Sequence, residues 1–300
     1  MRNLQMIISC TGATLFIATS APGQNLFVAD HGSGSIYEFA PSGVQSTYAS
    51  GLSPGALTFN SVGDLFVAAG NIYEFTPDGT RSIFAAYWGY FDGALAFNST
   101  GDLFEARPDS GTIYEFTPGG VEGLYYPSGL QGADGLAFNN AGDLFVAAAG
   151  NIYEFTPGGM KSTFASGLDN LQGLAFNSAG DLFAADLFVG NIYEFTPSGV
   201  QSTFATGLNR PIGLAFNSAG DLFETDEGSG NIYEFAPDGT RSTFASGLSD
   251  PRGLAFQPTP EPSSLWLVLL GSGILFAIRT RNKTIKSFGC PDHGDGEGVS

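Results

Sequence analysis

The stretch GLAFNSAGDLFETDEGSGNIYEF, running from Gly213 to Phe235, decides the fold. It holds three short runs rich in Leu, Phe, Ile and Tyr: Leu214-Ala215-Phe216, Asp221-Leu222-Phe223 and Ile232-Tyr233-Glu234-Phe235. Turn chemistry separates them, Asn217-Ser218-Ala219-Gly220 after the first and Gly228-Ser229-Gly230-Asn231 before the third. Short β-rich runs between such turns read as strands of an antiparallel meander. A fourth run, typified by Ser162-Thr163-Phe164-Ala165-Ser166-Gly167-Leu168, links each unit to the next.

The same unit recurs along the chain. Ile-Tyr-Glu-Phe begins at Ile36, Ile72, Ile113, Ile152, Ile192 and Ile232, with spacings of 36, 41, 39, 40 and 40 residues. The Asp/Asn-Leu-Phe run begins at Asn25, Asp64, Asp102, Asp143, Asp181 and Asp221, and Leu-Ala/Thr-Phe at Leu57, Leu95, Leu136, Leu174, Leu214 and Leu254. Four short strands in a unit of this length are the pattern of a propeller blade. The phase of the repeats also predicts how the ring closes. The body starts at a second strand, Asn25-Leu26-Phe27-Val28, and ends on a lone first strand, Leu254-Ala255-Phe256. The two pieces complete one another. The expected fold is therefore all-β: a six-bladed propeller of four-stranded blades, its terminal strands sharing one blade so that no edge stays open.

The phrase Gly213-Leu214-Ala215, its turn, Gly220-Asp221-Leu222 and then Asn231-Ile232 resembles the NHL-repeat, gluconolactonase and streptogramin-lyase-like propellers, over residues 25–256. That resemblance speaks to fold more than to activity, because such propellers host enzymes and binding modules alike. It implies a divalent metal at the channel mouth, held by carboxylate and amide oxygens; hard ligands of this kind favour calcium.

Charge narrows the partners. Between Ala21 and Thr259 stand 25 Asp and Glu against 6 Lys and Arg, a net −19. So acidic a body repels phosphate backbones, which argues against nucleic acid. The cysteines, Cys10 and Cys290, both lie outside the repeats, so the core has neither a disulfide framework nor thiol chemistry.

The ends read differently from the body. Residues 1–20 carry Arg2, an apolar run from Met6 to Ala18 and small residues before Ala21, the pattern of a secretory signal peptide. A propeller is expected over 21–258, a sorting tail over 259–284 and a disordered tail over 285–300. In the sorting tail, Pro260-Glu261-Pro262 precedes an apolar stretch from Leu265 to Ile278, expected to form an isolated hydrophobic helix, and then Arg279, Arg281 and Lys283. That order resembles the PEP-CTERM signal, whose bearers are exported proteins of Gram-negative bacteria processed by exosortase. The resemblance implies a transient inner-membrane anchor, then release to the cell surface or extracellular matrix. The same tail also goes by an ice-binding-protein label, which says nothing about the body. Such proteins usually end at the basic cluster, whereas this chain continues to Ser300.

Residues common to every blade read as structure: the repeated Glu38, Glu74, Glu115, Glu154, Glu194 and Glu234, the Asp after each turn glycine as a turn cap, and the Phe and Tyr as packing between blades. Differences between blades point to function. Asp30, Asp186 and Asp226 stand in the loop after the second strand of three neighbouring blades, while Glu105 and Glu224 replace Val or Ala within that strand on two blades three apart. The five are expected to converge at the channel as a calcium site, or else to form an acidic, solvated rim. Tyr87, Trp88, Tyr90 and Phe91, with Tyr125 and Tyr126, either stack on sugar rings, anchor a protein partner or fill a degenerate blade junction. The body holds one histidine, His31, and no nucleophile elbow. The preferred reading is an exported, non-catalytic propeller binding polysaccharide or protein; the alternative is a calcium-dependent, gluconolactonase-like hydrolase.

Overall fold

The structure, a computed structural model, describes residues 23–86, 93–259, 269–270 and 273–274. The chain divides after Pro258 into two units, of which the first holds the repeats. They fold into six four-stranded antiparallel sheets, each ordered from an innermost strand A to an outermost strand D. Blade 1 combines Pro251–Phe256 as strand A with Leu26–Asp30, Ser35–Phe39 and Gln45–Ser50. Blades 2 to 6 follow in chain order, the last being Pro211–Phe216, Leu222–Asp226, Asn231–Phe235 and Arg241–Ser246.

Closure follows the strand pairing expected from the sequence. Leu26 pairs with Phe256, Phe27 with Ala255 and Val28 with Leu254. Gln24 fastens the joint further: its Nε2 donates to the Gln257 carbonyl at 3.1 Å, and its Oε1 accepts from the Ser218 amide of blade 6 at 2.8 Å. Because the first and last strands hydrogen-bond in one sheet, the ring has no unpaired inner edge.

Period-2 alternation decides which way each side chain faces. On strand B of blade 1, Phe27 looks toward blade 2 while Leu26 and Val28 look toward blade 6. Each strand-B Phe sits edge-on between the strand-D aromatic of its own blade and the strand-A Phe of the next. Phe27 lies 4.9 Å from Tyr48 and 5.1 Å from Phe59, and Phe223 lies 5.1 Å from Phe244 and 4.9 Å from Phe256. The motif recurs at all six junctions, through Phe66, Phe104, Phe145 and Phe183.

The A–B turns correct one detail of the sequence reading. The cap is the Asn, not the Asp: Asn60 Oδ1 accepts from the amides of Val62 at 3.1 Å and Asp64 at 2.8 Å. The Asp64 carboxylate holds that Asn in place, accepting from its Nδ2 at 2.8 Å. Asn98, Asn139, Asn177 and Asn217 repeat the arrangement.

No helix among the described residues is long and apolar enough to cross a membrane. The stretch expected to be a signal peptide and Pro260, Glu261, Pro262, Arg279, Arg281 and Lys283 lie outside the described residues. Within the stretch expected to be helical, the structure describes Leu269–Leu270 and Gly273–Ile274, which pair as two short strands.

Candidate functional site: the rim of the axial channel

The six A strands surround a channel of about 560 Å³. Strand A runs antiparallel to strand B, so its start lies at the same end as the B–C loop and the linker arriving from the preceding blade. This end is called the upper face. At the start of strand A, register shifts interrupt the ladder, between Pro211 and Leu214 in blade 6 and between Leu171 and Leu174 in blade 5. A β-bulge of this kind re-aims the residues it contains.

The residue before Leu-Ala-Phe of strand A in blades 4, 5, 6 and 1 is a glycine for a reason of space. A Cβ on Gly135 would sit 2.1 Å from the Gln172 carbonyl oxygen of blade 5, and one on Gly213 would sit 2.4 Å from the Arg252 carbonyl oxygen of blade 1. Neighbouring backbones touch there, leaving the preceding residue as the variable one. In blade order from blade 1 it is Arg252, Gly55, Gly93, Asp134, Gln172 and Ile212, and all six line the channel. Four consecutive blades thus present an acid, an amide, an apolar group and a guanidinium, while the other two present bare backbone.

The rim is rigid on its blade 1 side. The Arg252 guanidinium donates to Asp250 through two nitrogens, Nε to Oδ1 at 3.2 Å and to Oδ2 at 3.3 Å, and Nη2 to Oδ2 at 3.1 Å. The Thr225 hydroxyl accepts from the Gly213 amide at 2.8 Å and donates to the Arg252 carbonyl, tying blade 6 to blade 1. On blade 5, Gln172 Nε2 donates to Asn170 Oδ1 at 2.6 Å.

The five carboxylates expected at the channel do not converge there. None lines it. Among the described residues, no three His, Cys, Asp or Glu stand close enough to hold a metal ion. Asp30, Asp186 and Asp226 are buried at the end of strand B and fasten the upper loops of their own blades. Asp30 Oδ1 accepts from the amides of Ser249 at 3.0 Å and Asp250 at 2.7 Å. Asp226 accepts from Asn209 N at 2.6 Å and Ser229 N at 3.0 Å. Asp186 accepts from Val189 N at 3.1 Å and Asp169 N at 3.4 Å. These amide bonds close the loops that flank each carboxylate.

Glu105 and Glu224 correct the reading in another way: they face neighbouring blades, not one another. Directly paired residues share a sheet face. Glu105 pairs with Leu95 and Tyr114, which belong to the core between blades 2 and 3. Glu224 pairs with Leu214 and Tyr233, in the core between blades 5 and 6. Both are shut away from solvent, at 1% and 0% exposure. Burial pushes the Glu105 carboxyl up to about 7, against the pull of Arg107, whose Nε donates to Oε2 at 2.8 Å. Burial, with the Asp226 charge adding to it, lifts Glu224 well above the usual carboxylate range.

The aromatic candidates divide. Tyr87, Trp88, Tyr90 and Phe91 lie outside the described residues. Tyr125 occupies the strand-D place in the packing motif, its ring edge-on to Phe104 at 5.0 Å. Tyr126 packs on Phe155 at 5.1 Å, with Lys161 Nζ 5.3 Å from its centroid. Both half-buried rings thus serve the blade junction. His31 stands in the upper loop of blade 1, outside the channel lining, and its buried Nδ1 finds no hydrogen-bond partner among the described residues.

No protein-family model matches the chain, and no curated protein matches it by sequence. Solved structures match its fold. A chain from the nidogen/laminin complex superposes with a TM-score of 0.70 at 15% identity, covering 79% of this chain and 99% of that one. A streptogramin B lyase gives 0.59 at 15% identity, covering 79% and 90%. A gluconolactonase-family protein gives 0.58 at 12% identity, covering 71% and 88%. These neighbours share a propeller and differ in function, so the likeness extends to the fold alone.

Proposed function

We propose that the chain is an exported binding propeller, displayed at the cell surface or in the extracellular matrix, that takes a polysaccharide at the upper rim of its channel. The observation that carries this reading is the variable rim position that faces the channel, where repeated blades present Asp134, Gln172, Ile212 and Arg252. An acid, an amide and a guanidinium supply donors and acceptors together, the mixture that matches sugar hydroxyls, and Ile212 offers an apolar face between them. Among the described residues the rim brings the Asp134 carboxylate to the channel beside the Gln172 amide and the Arg252 guanidinium, a set suited to hydrogen-bonding a glycan.

In the same reading the PEP-CTERM-like tail directs sorting by exosortase, the membrane serving as a transient anchor before release. The test is cosedimentation of the released protein with exopolysaccharide from an exosortase-bearing host, alongside assays on sugar lactones with and without calcium. Retention by the polysaccharide without lactone turnover is the expected result. Lactone hydrolysis, or no retention by any glycan, would replace this reading with the hydrolase.

A further inference from the structure

One loop of the upper face differs in kind from its counterparts. The residues joining strands B and C read His31-Gly32-Ser33-Gly34 in blade 1, Pro108-Asp109-Ser110-Gly111 in blade 3 and Glu227-Gly228-Ser229-Gly230 in blade 6. In blade 5 they read Leu187-Phe188-Val189-Gly190, an aromatic ring and an isopropyl group where the others have Gly or Asp followed by Ser. Both side chains face solvent, Phe188 at 68% exposure and Val189 at 51%. The seven other exposed large apolar side chains among the described residues stand in the lower turns or on strand D.

The loop that carries them is held. Leu187 is buried, and its amide donates to the Asn170 carbonyl at 2.9 Å. The Val189 amide donates to Asp186 Oδ1 at 3.1 Å and the Gly190 amide to the Asp186 carbonyl at 3.0 Å. Asn170 is also the residue whose Oδ1 accepts from Gln172 Nε2, so the Phe188 loop and one side chain of the rim share an anchor. Glycine takes the Phe188 position in blades 1 and 6, where a Cβ would come within 2.4 Å of the Ser249 or Asn209 side chain, just ahead of strand A. By the same geometry Phe188 stands beside the entry to strand A of blade 5, outward of Gln172.

We propose that Phe188 is an aromatic platform of the rim site, stacking on the apolar face of one pyranose while Asp134, Gln172 and Arg252 hydrogen-bond other units of the same chain. The inference rests on the glycan reading of the rim and deepens it: the ligand is an oligomer that runs outward across blade 5, not a single sugar. A pyranose carries hydroxyls around its edge and C–H groups on its faces, so it calls for donors, acceptors and a ring together. The rim supplies the first two, but the aromatic residues of the channel lining, Phe97, Phe216 and Phe256, end strand A at the lower side. Phe188 brings a ring to the upper side. A second copy of the chain fits this surface poorly. One ring and one isopropyl group fall far short of the roughly 800 Å² per partner that a stable dimer buries, and so acidic a body repels its own copy.

Titration of the full chain with fragments of host exopolysaccharide, graded in length from the monosaccharide upward, tests it. The Phe188→Asp, Val189→Ser double variant reproduces the Asp-Ser pair of blade 3 and keeps the backbone bonds to Asp186, so it is expected to fold with an unchanged melting temperature. Its affinity for the longest fragments should fall about tenfold, while its affinity for the shortest fragment that wild type binds stays the same. Phe188→Tyr should bind like wild type, and Phe188→Leu, apolar without a ring, should show the loss. Equal affinity of wild type and the double variant at every length, or undiminished binding by Phe188→Leu, would overturn the platform and leave the rim reading standing. No binding of any fragment by wild type would overturn both.

Discussion

Asp226 and Glu224 sit two residues apart on one face of one strand, and their environments give them opposite roles. Asp226 receives two backbone amides, so truncation would leave both donors buried and unpaired. Asp226→Ala is expected to cost about 2 kcal/mol in denaturant unfolding, and an unchanged midpoint would refute its role as a loop fastener. Among the described residues the Glu224 oxygens accept no hydrogen bond, so Glu224→Val should stabilise the protein by about 1–3 kcal/mol at neutral pH through removal of an unsatisfied buried polar group. Glu105 adds a pH dependence whose sign is fixed. Its folded value near 7 exceeds the ordinary unfolded value of about 4.3, so the folded state holds the proton more tightly. Its contribution is complete below that unfolded value and is lost as pH rises through 7. The melting temperature should therefore fall between pH 5 and pH 8, and Glu105→Gln should flatten the decline.

The elements of the ring were legible in the sequence because each announces itself twice, by β-rich residues and by the turns that bound them. Leu254-Ala255-Phe256 was readable as the missing first strand of blade 1 because the repeats start and stop out of phase, and it pairs beside Leu26–Val28 as that phase implies. Deleting residues 251–256 should strip blade 1 of its inner strand and open the ring, detected as loss of the cooperative thermal transition; a persistent transition would mean that closure needs no shared blade. The candidate site was less legible. Asp30, Asp186 and Asp226 attract notice because carboxylates differ between blades, yet sequence shows only that they sit near a loop, not that backbone amides claim their oxygens. Glu105 and Glu224 were misplaced for a plainer reason: a period of 2 tells which residues share a face, not which face meets the axis. The rim position was available, as the residue before each Gly-Leu or Ala-Leu. It was passed over because a bulge, invisible in the repeat, turns it into the channel.

At the scale of the whole molecule, a ring of repeated blades turns one variable position at the start of each strand A to the mouth of the channel, a circle in which four of the six carry side chains. Thr225 and Asp250 hold Arg252, and Asn170 holds Gln172, so the rim is set before any ligand arrives. Pre-ordering of that kind lowers the entropic cost of binding. The central claim is that this circle is the binding site, and isothermal titration of the full chain with oligosaccharides cut from the host exopolysaccharide tests it most directly, comparing wild type with the Asp134→Ala, Gln172→Ala double variant. The account predicts one ligand per chain for wild type and an affinity at least about tenfold weaker for the double variant, the loss of two hydrogen-bonding groups, with the melting temperature unchanged. Equal affinity in the two proteins would contradict it.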